Sequence, residues 1–284
     1  MNSNLFPRRI FKMTILVTGA TGTVGRHIVK QLVQQGKEVR AISRNPQQAK
    51  LPAGVQVLAG DLNEPDSLVP ALQGVTALHV ITSSDEAYGT LQTDPRIIEL
   101  AEQAGVKRVT VLVGFEEGPV EAALRASGME WTLLKPGEFM ANILVDWRES
   151  IRTEEVVREP FGHALSARIH EADIARVAVT ALVEEGHHGQ EYFLTGPEAL
   201  SRREAVRIIS EVTGKNIRFE ELTEEQARDQ WRVQGYDEES IEFFVQMGKN
   251  PPEIGYTVLS TVEQVTGRPA ATLANWVSDH KKEL

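Results

Sequence analysis

Apolar positions recur along this chain in two alternating styles. Short runs rich in β-branched residues, such as Ile15-Leu16-Val17 and Val75-Thr-Ala-Leu-His-Val-Ile81, have the length and composition of buried strands. Between them, apolar residues take helical spacing. Val24, Ile28, Leu32 and Val33 share one helix face, while Arg26, Lys30 and Gln31 lie off it. Strands are predicted at 15–17, 38–43, 55–58, 75–81, 106–113 and 131–134, with helices at 24–33, 66–72 and 96–104 among the segments joining them. Regular alternation of strand and helix predicts an α/β fold, a doubly wound parallel sheet with helices on both faces (Rossmann-like). Past residue 139 the pattern is less regular. A helix is predicted from Ile174 to Val183 with Asp173 in or before its first turn, and Ser201 with Glu204 reads as a capping box. A short strand at 216–220 and two charged helices opening at Thr223 and Asp237 come next. This part is expected to form a small α+β lobe. The expected division is a loosely ordered leader at 1–12, a nucleotide-binding domain at 13–138 and, at 139–284, a substrate or partner lobe interleaved with it.

The first strand runs into Thr18-Gly-Ala-Thr-Gly-Thr-Val-Gly25, with Gly19, Gly22 and Gly25 three residues apart. Strand, glycine turn and helix together form the context in which such glycines bind a dinucleotide. Glycine lets the backbone approach a phosphate, and the helix N-terminus offers unpaired N–H groups and a positive dipole end. The expected pyrophosphate cradle is Gly19, Thr21, Gly22, Thr23, Val24 and Gly25.

Ligands of open parallel sheets bind outside the carboxyl ends of the strands, so the residues just past each strand are the candidates for contact. The second strand ends in Ser43-Arg44 and carries no acid for a ribose 2′-hydroxyl. Arg44 offers a cationic fork and Ser43 a hydroxyl to a 2′-phosphate, so NADP(H) is expected over NAD(H). The third runs into Gly60-Asp61-Leu62, where Asp61 is also a candidate turn or N-cap residue. The fourth runs into Thr82, Ser83 and Ser84, hydroxyls suited to cofactor ribose, to substrate, or to a turn alone.

The turn Thr-Gly-Ala-Thr-Gly-x-x-Gly and the passage Ser127-Gly-Met-Glu-Trp-Thr-Leu-Leu-Lys-Pro-Gly-Glu-Phe-Met-Ala-Asn142 resemble the NmrA-like group of atypical short-chain dehydrogenase/reductases. The likeness runs from Met13 nearly to the C-terminus and includes His170-x-x-Asp-Ile-Ala175. It implies that Asp61 and Leu62 lie beside the adenine, and that Pro136 and Gly137 approach the nicotinamide end. Phe139 and Met140 are then expected in a substrate pocket, to which Ser84, Phe115, Glu138 and Asn142 are also assigned. Core packing is the alternative for Phe139 and Met140. Lys135 is read as structural, as is His170.

The chain departs from the better-known short-chain enzymes in one respect that bears on chemistry. Their tyrosine is followed four residues later by a lysine, whereas Tyr88, Tyr192, Tyr236 and Tyr256 are followed by Gln92, Gly196, Ser240 and Ser260. A tyrosine with pKa near ~10 needs such a cation to serve as acid or base at neutral pH. Gly118 stands where relatives often carry a histidine before the glutamate matching Glu121. The sequence therefore names no catalytic residue.

Composition narrows the function. A net charge of −10 disfavours nucleic acid as a direct partner. The absence of cysteine excludes disulfides, thiolate metal sites and a thiol nucleophile, and is compatible with the cytoplasm, the expected location. His187 and His188 lack metal-ligand spacing, so no metal is expected. No apolar run is long enough to span a bilayer. The expected function is NADPH-dependent reduction of a small quinone-, enone- or imine-like molecule without a tyrosine–lysine pair. The alternative is a non-enzymatic NADP(H) sensor acting through a protein partner. A homo-oligomer is compatible with either.

Overall fold

The computed structural model describes residues 13–82 and 93–284. The expected leader therefore lies outside the described residues, as do Ser83, Ser84 and Tyr88. By internal packing the chain divides into two units, Met1–Leu133 with Ala181–Gln190, and Leu134–Thr180 with Glu191–Leu284.

The first unit opens with β1 (Thr14–Val17), α1 (Gly25–Gln34), β2 (Glu38–Ser43) and β3 (Gln56–Ala59). A 3-10 turn (Pro65–Leu68) leads into α2 (Val69–Leu72), then β4 (Ala77–Ile81), α3 (Arg96–Gln103), β5 (Arg108–Leu112) and α4 (Pro119–Ala126). β6 (Glu130–Pro136) carries the chain onward. The β1–β2, β1–β4, β2–β3 and β4–β5 pairs are all parallel, with Val17 opposite Ala41 and His79. The strand order is β3-β2-β1-β4-β5-β6, completed by β9 (Gln190–Leu194). It reverses direction beside β1, where a doubly wound sheet opens its ligand crevice. Leu16, Leu78 and Val80 from the strands pack with Leu68, Ile97, Ile98 and Leu124 from the connecting segments, nearly all inaccessible to solvent. Burial of apolar surface on this scale is what holds such a sheet together.

In the second unit come α5 (Asn142–Asp146), α6 (Arg148–Glu154), β7 (Val156–Glu159), β8 (Leu165–Ser166) and α7 (Glu171–Val183). After β9 come β10 (Leu200–Ser201), α8 (Arg202–Thr213), β11 (Arg218–Glu221), α9 (Glu224–Val233) and α10 (Glu238–Lys249). The chain closes with α11 (Glu253–Tyr256), α12 (Thr261–Thr266) and α13 (Leu273–His280). Two small sheets, β7 with β11 and β8 with β10, supply the β component of an α+β unit. Its core gathers Met140, Ile143, Trp147, Ile151, Val206, Ile209 and Trp276. The Ser201 capping box forms as expected, Glu204 N–H donating to Ser201 Oγ at 3.2 Å and Ser201 N–H to Glu204 Oε2 at 2.9 Å. Thr223 caps α9 in the same way. No described helix is long and apolar enough to cross a membrane.

Candidate cofactor site and the second unit's polar face

Between β1 and α1 the chain turns on Gly19, whose φ of +56° lies in the left-handed region that glycine tolerates best. The Gly19 carbonyl accepts from Gly22 N–H at 2.9 Å. Gly25 starts α1 pressed onto that turn, and a Cβ there would lie 2.0 Å from Gly19 O. At Gly19 a Cβ would meet Ile81 Cδ1 at 2.5 Å. Two of the three glycines are thus required by close approach. No side chain caps α1 and its first turn holds no acid; Arg26 N–H donates to Gly22 O at 3.2 Å, and His27 and Ile28 N–H donate to Val24 O at 3.0 and 3.1 Å. Thr21 is exposed, and Gly22 and Thr23 are half-buried. Val24, by contrast, is 3% exposed, so any ligand contact it makes is through its backbone. Thr18 anchors the turn from beneath, its hydroxyl donating to His79 O at 3.0 Å and accepting from Ile81 N–H at 3.1 Å.

At the end of β2, Ser43 Oγ accepts from Asn45 N–H at 3.1 Å and fixes the bend. Arg44 is exposed, with no hydrogen bond or ion pair among the described residues. Beyond β3, Asp61 forms an Asx turn, Asn63 N–H donating to Oδ1 at 2.9 Å, while Asp61 N–H donates to Ser67 Oγ at 2.9 Å. The turn reading of Asp61 is realised. Glu64 is the residue that precedes the 3-10 turn. Leu62 is buried in the first unit's core, leaving only its backbone for a ligand.

The hydroxyl of Thr82, past β4, is already engaged. It lies 3.0 Å from Glu121 Oε1 and 3.3 Å from Leu112 O, and accepts from Gly114 N–H at 3.2 Å. Glu121 is 1% exposed, and its other oxygen accepts from Gly118 N–H at 2.8 Å. From sequence Glu121 reads only as a helix-dipole acid. In the fold it ties the ends of β4 and β5 to the start of α4. Phe115, on the connection after β5, is 72% exposed.

His79 is fully buried on β4, its Nδ1 2.8 Å from Thr110 Oγ1 and its Nε2 without a hydrogen-bond partner among the described residues. Burial lowers its pKa to about 3, so the ring is neutral.

In the second unit, Gly137 N–H donates to Leu194 O at 2.8 Å just past Pro136, the last residue of β6. Residues 138–140 then pair with 168–170. Ile169 N–H donates to Glu138 O at 2.8 Å, and Met140 N–H to Ile169 O at 2.9 Å. This brings Arg168 beside Glu138, Nε to Oε1 at 2.8 Å, with the guanidinium 5.5 Å from the Trp147 ring centroid. No sequence signal marks Arg168. Phe139 is half-buried, and Asn142 opens α5. Met140 is 2% exposed and belongs to the unit's core, the packing alternative raised for it. Lys135 pairs with Glu191 at 2.5 Å and lies over the Phe193 ring, as a structural lysine would. His170 Nδ1 accepts from Ala172 N–H at 3.1 Å. No cluster able to hold a metal occurs among the described residues.

A family model described as NAD(P)H-binding matches residues 19–119, the span from the glycine turn to the start of α4. A (4-alkanoyl-5-oxo-2,5-dihydrofuran-3-yl)methyl phosphate reductase of Streptomyces griseus is 36% identical over 281 residues, covering 94% of this chain and 97% of the relative. An NAD(P)H azoreductase of Xenophilus azovorans shows the same identity and coverage. The chain belongs to the NmrA-like, atypical short-chain dehydrogenase/reductase family. Among solved members, an NADPH-dependent quinone oxidoreductase of Escherichia coli, in complex with NADPH, superposes with a TM-score of 0.77 at 26% identity, over 93% of this chain and 99% of that one. The curated relatives that the chain matches over nearly its whole length are reductases, and the chain is an NAD(P)H-dependent oxidoreductase.

Proposed function

We propose that this protein reduces small, electron-poor organic molecules at the expense of NADPH, with quinone-, enone- and imine- or azo-like groups as the acceptor class. The observation that carries the cofactor choice is Arg44, an exposed cation unpaired among the described residues, where an NAD-binding fold would place an acid. The glycine turn suits a dinucleotide because Gly19 and Gly25 let α1 start close against the end of β1, which sets the helix N-terminus at the carboxyl end of that strand. In this reading the turn and the N-terminus of α1 hold the pyrophosphate, Arg44 with Ser43 the 2′-phosphate, and the 60–62 backbone the adenine. Pro136 and Gly137 hold the nicotinamide end. When bound, NADPH supplies the hydride, and the protein binds, orients and excludes water. In this reading the first unit carries the pyrophosphate, 2′-phosphate and adenine contacts, and the second unit serves the substrate. The substrates for which these relatives are named, an oxo-dihydrofuranyl methyl phosphate, an azo compound and a quinone, support the acceptor class.

The test is loss of NADPH absorbance with a panel of quinones, enones, imines and azo dyes. Turnover with at least one class, faster with NADPH than with NADH, is expected. Tight NADPH binding without turnover of any acceptor would overturn the enzymatic reading and favour a cofactor sensor.

A further inference from the structure

The second unit holds a small cavity under its surface. Met140, Arg168 and Leu273 form its buried wall, and Ser166, Glu198 and Leu200 are half-buried at its rim. All six belong to that unit. The volume is about 10 Å³, room for one oxygen-sized group. Arg168 is the wall residue with chemistry to offer. Its side chain is 7% exposed, and its Nε donates to Glu138 Oε1 at 2.8 Å. Its Nη1 is buried and has no hydrogen-bond partner among the described residues. A buried guanidinium donor left open is costly, and folded chains rarely keep one without an acceptor to meet it. The chain on both sides of Arg168 is tied down, Ile169 N–H donating to Glu138 O at 2.8 Å and Gly196 N–H to Ala167 O at 2.9 Å.

We propose that this cavity is a carbonyl-binding subsite of the second unit, in which Arg168 Nη1 donates a hydrogen bond to one oxygen of a quinone- or enone-like ligand; the choice of ligand rests on the reductase reading above. Size and charge select it. A carboxylate or phosphate exceeds the space and would bring further negative charge beside Glu138 and Glu198. Glu198 is committed to the start of α13, its Oε2 accepting from Leu273 N–H at 3.1 Å, and does not meet Nη1. A neutral carbonyl oxygen fits the volume, accepts from Nη1 and adds no charge, while the apolar remainder of the molecule lies toward Leu200 at the rim. Hydrogen bonds from an ionised donor are roughly twice as strong as neutral ones. A single water is the competing occupant, and an oxygen that reproduces its hydrogen bond displaces it at little cost.

Binding of 1,4-naphthoquinone and of naphthalene to the cofactor-free protein decides it. The wild type should prefer the quinone. Arg168→Met should lose at least about tenfold in quinone affinity and nothing in naphthalene affinity. The infrared carbonyl stretch of the bound quinone should lie lower in the wild type than in Arg168→Met. Because that change strands Glu138, Ser166→Leu is the second variant. It fills the cavity, leaves the Arg168–Glu138 pair in place and should cost the quinone a similar factor. Neither acetate nor inorganic phosphate should compete. Unchanged quinone affinity in a folded Ser166→Leu, an identical carbonyl stretch in wild type and Arg168→Met, or displacement of the quinone by phosphate would each overturn the subsite. The reductase reading fails separately. Quinone bound through Arg168 but never reduced by NADPH overturns that reading and leaves the subsite, whereas quinone turnover and KM unchanged in both variants overturn the subsite and leave the reductase.

Discussion

The glycine turn of the first unit and the polar face of the second are built in opposite ways. At the turn, Gly19 and Gly25 bring backbone against backbone, α1 begins without a side-chain cap, and a single exposed cation stands at the end of β2. On the second unit's face the donors are side chains, with Glu138, Arg168, Trp147, Glu159 and Arg202 linked in sequence. A backbone cradle recognises what all dinucleotides share. A side-chain network can be rebuilt one residue at a time, which is how one fold comes to serve many substrates.

The comparison breaks most sharply at Gly25. In Gly25→Ala the new methyl would lie 2.0 Å from Gly19 O, and no side-chain movement can relieve a clash with backbone. The turn must open, and the N–H groups of α1 shift with it. NADPH affinity should fall at least about a hundredfold, or roughly 2.7 kcal/mol, in a protein whose circular dichroism shows the sheet intact. Unchanged calorimetric affinity would mean that phosphate is held elsewhere.

The turn was legible in the sequence because its chemistry is local. Three glycines, a preceding apolar run and a following amphipathic pattern lie within about twenty residues. The Ser201 and Thr223 caps were legible for the same reason. Arg168 and Glu138 are thirty positions apart and meet only because 138–140 pairs with 168–170, a contact that leaves no periodic trace. The open Nη1 of Arg168 was invisible for a related reason. What distinguishes it is the absence of a partner among the described residues, and absence has no spacing. Glu121 lay between these cases. Its place three residues after Gly118 suggested a helix-start role, but the bond to Thr82 depends on β4 meeting the α4 connection.

A second test asks how much the first unit depends on neutrality beneath its cradle. His79 has a pKa of about 3 in the fold against 6.5 unfolded. Between those values the unfolded chain binds the extra proton, so stability rises with pH through this window, is complete above it, and is lost as pH falls. At about pH 5 His79 alone should lower stability by roughly 2 kcal/mol relative to about pH 7.5. Replacing both partners, His79→Val with Thr110→Val, removes the titrating group without stranding the threonine hydroxyl. Denaturant unfolding at the two pH values should show a smaller difference in the double variant. An identical difference would assign the acid sensitivity to other groups.

The smallest effect, and the one that refines the comparison most, concerns Arg44. It is the side chain at the cradle expected to distinguish one dinucleotide from another, because the main-chain donors treat NADH and NADPH alike. Charge-assisted hydrogen bonds contribute about 1.5–3 kcal/mol, and an exposed site lies at the low end of that range. Arg44→Asp removes the attraction and adds repulsion toward a 2′-phosphate, so NADPH affinity should fall at least about tenfold, or ~1.4 kcal/mol. NADH should change little, or bind more tightly if the new carboxylate reaches the ribose hydroxyls. The wild-type preference for NADPH should also shrink as salt is raised, since an exposed ion pair is screened over about 10 Å at ~0.1 M. Titrating both cofactors into both proteins at two ionic strengths separates charge recognition from backbone recognition. If the wild type binds NADH as tightly as NADPH at low salt, Arg44 is a solvated surface charge, and the cradle selects for dinucleotides as a class without choosing between them.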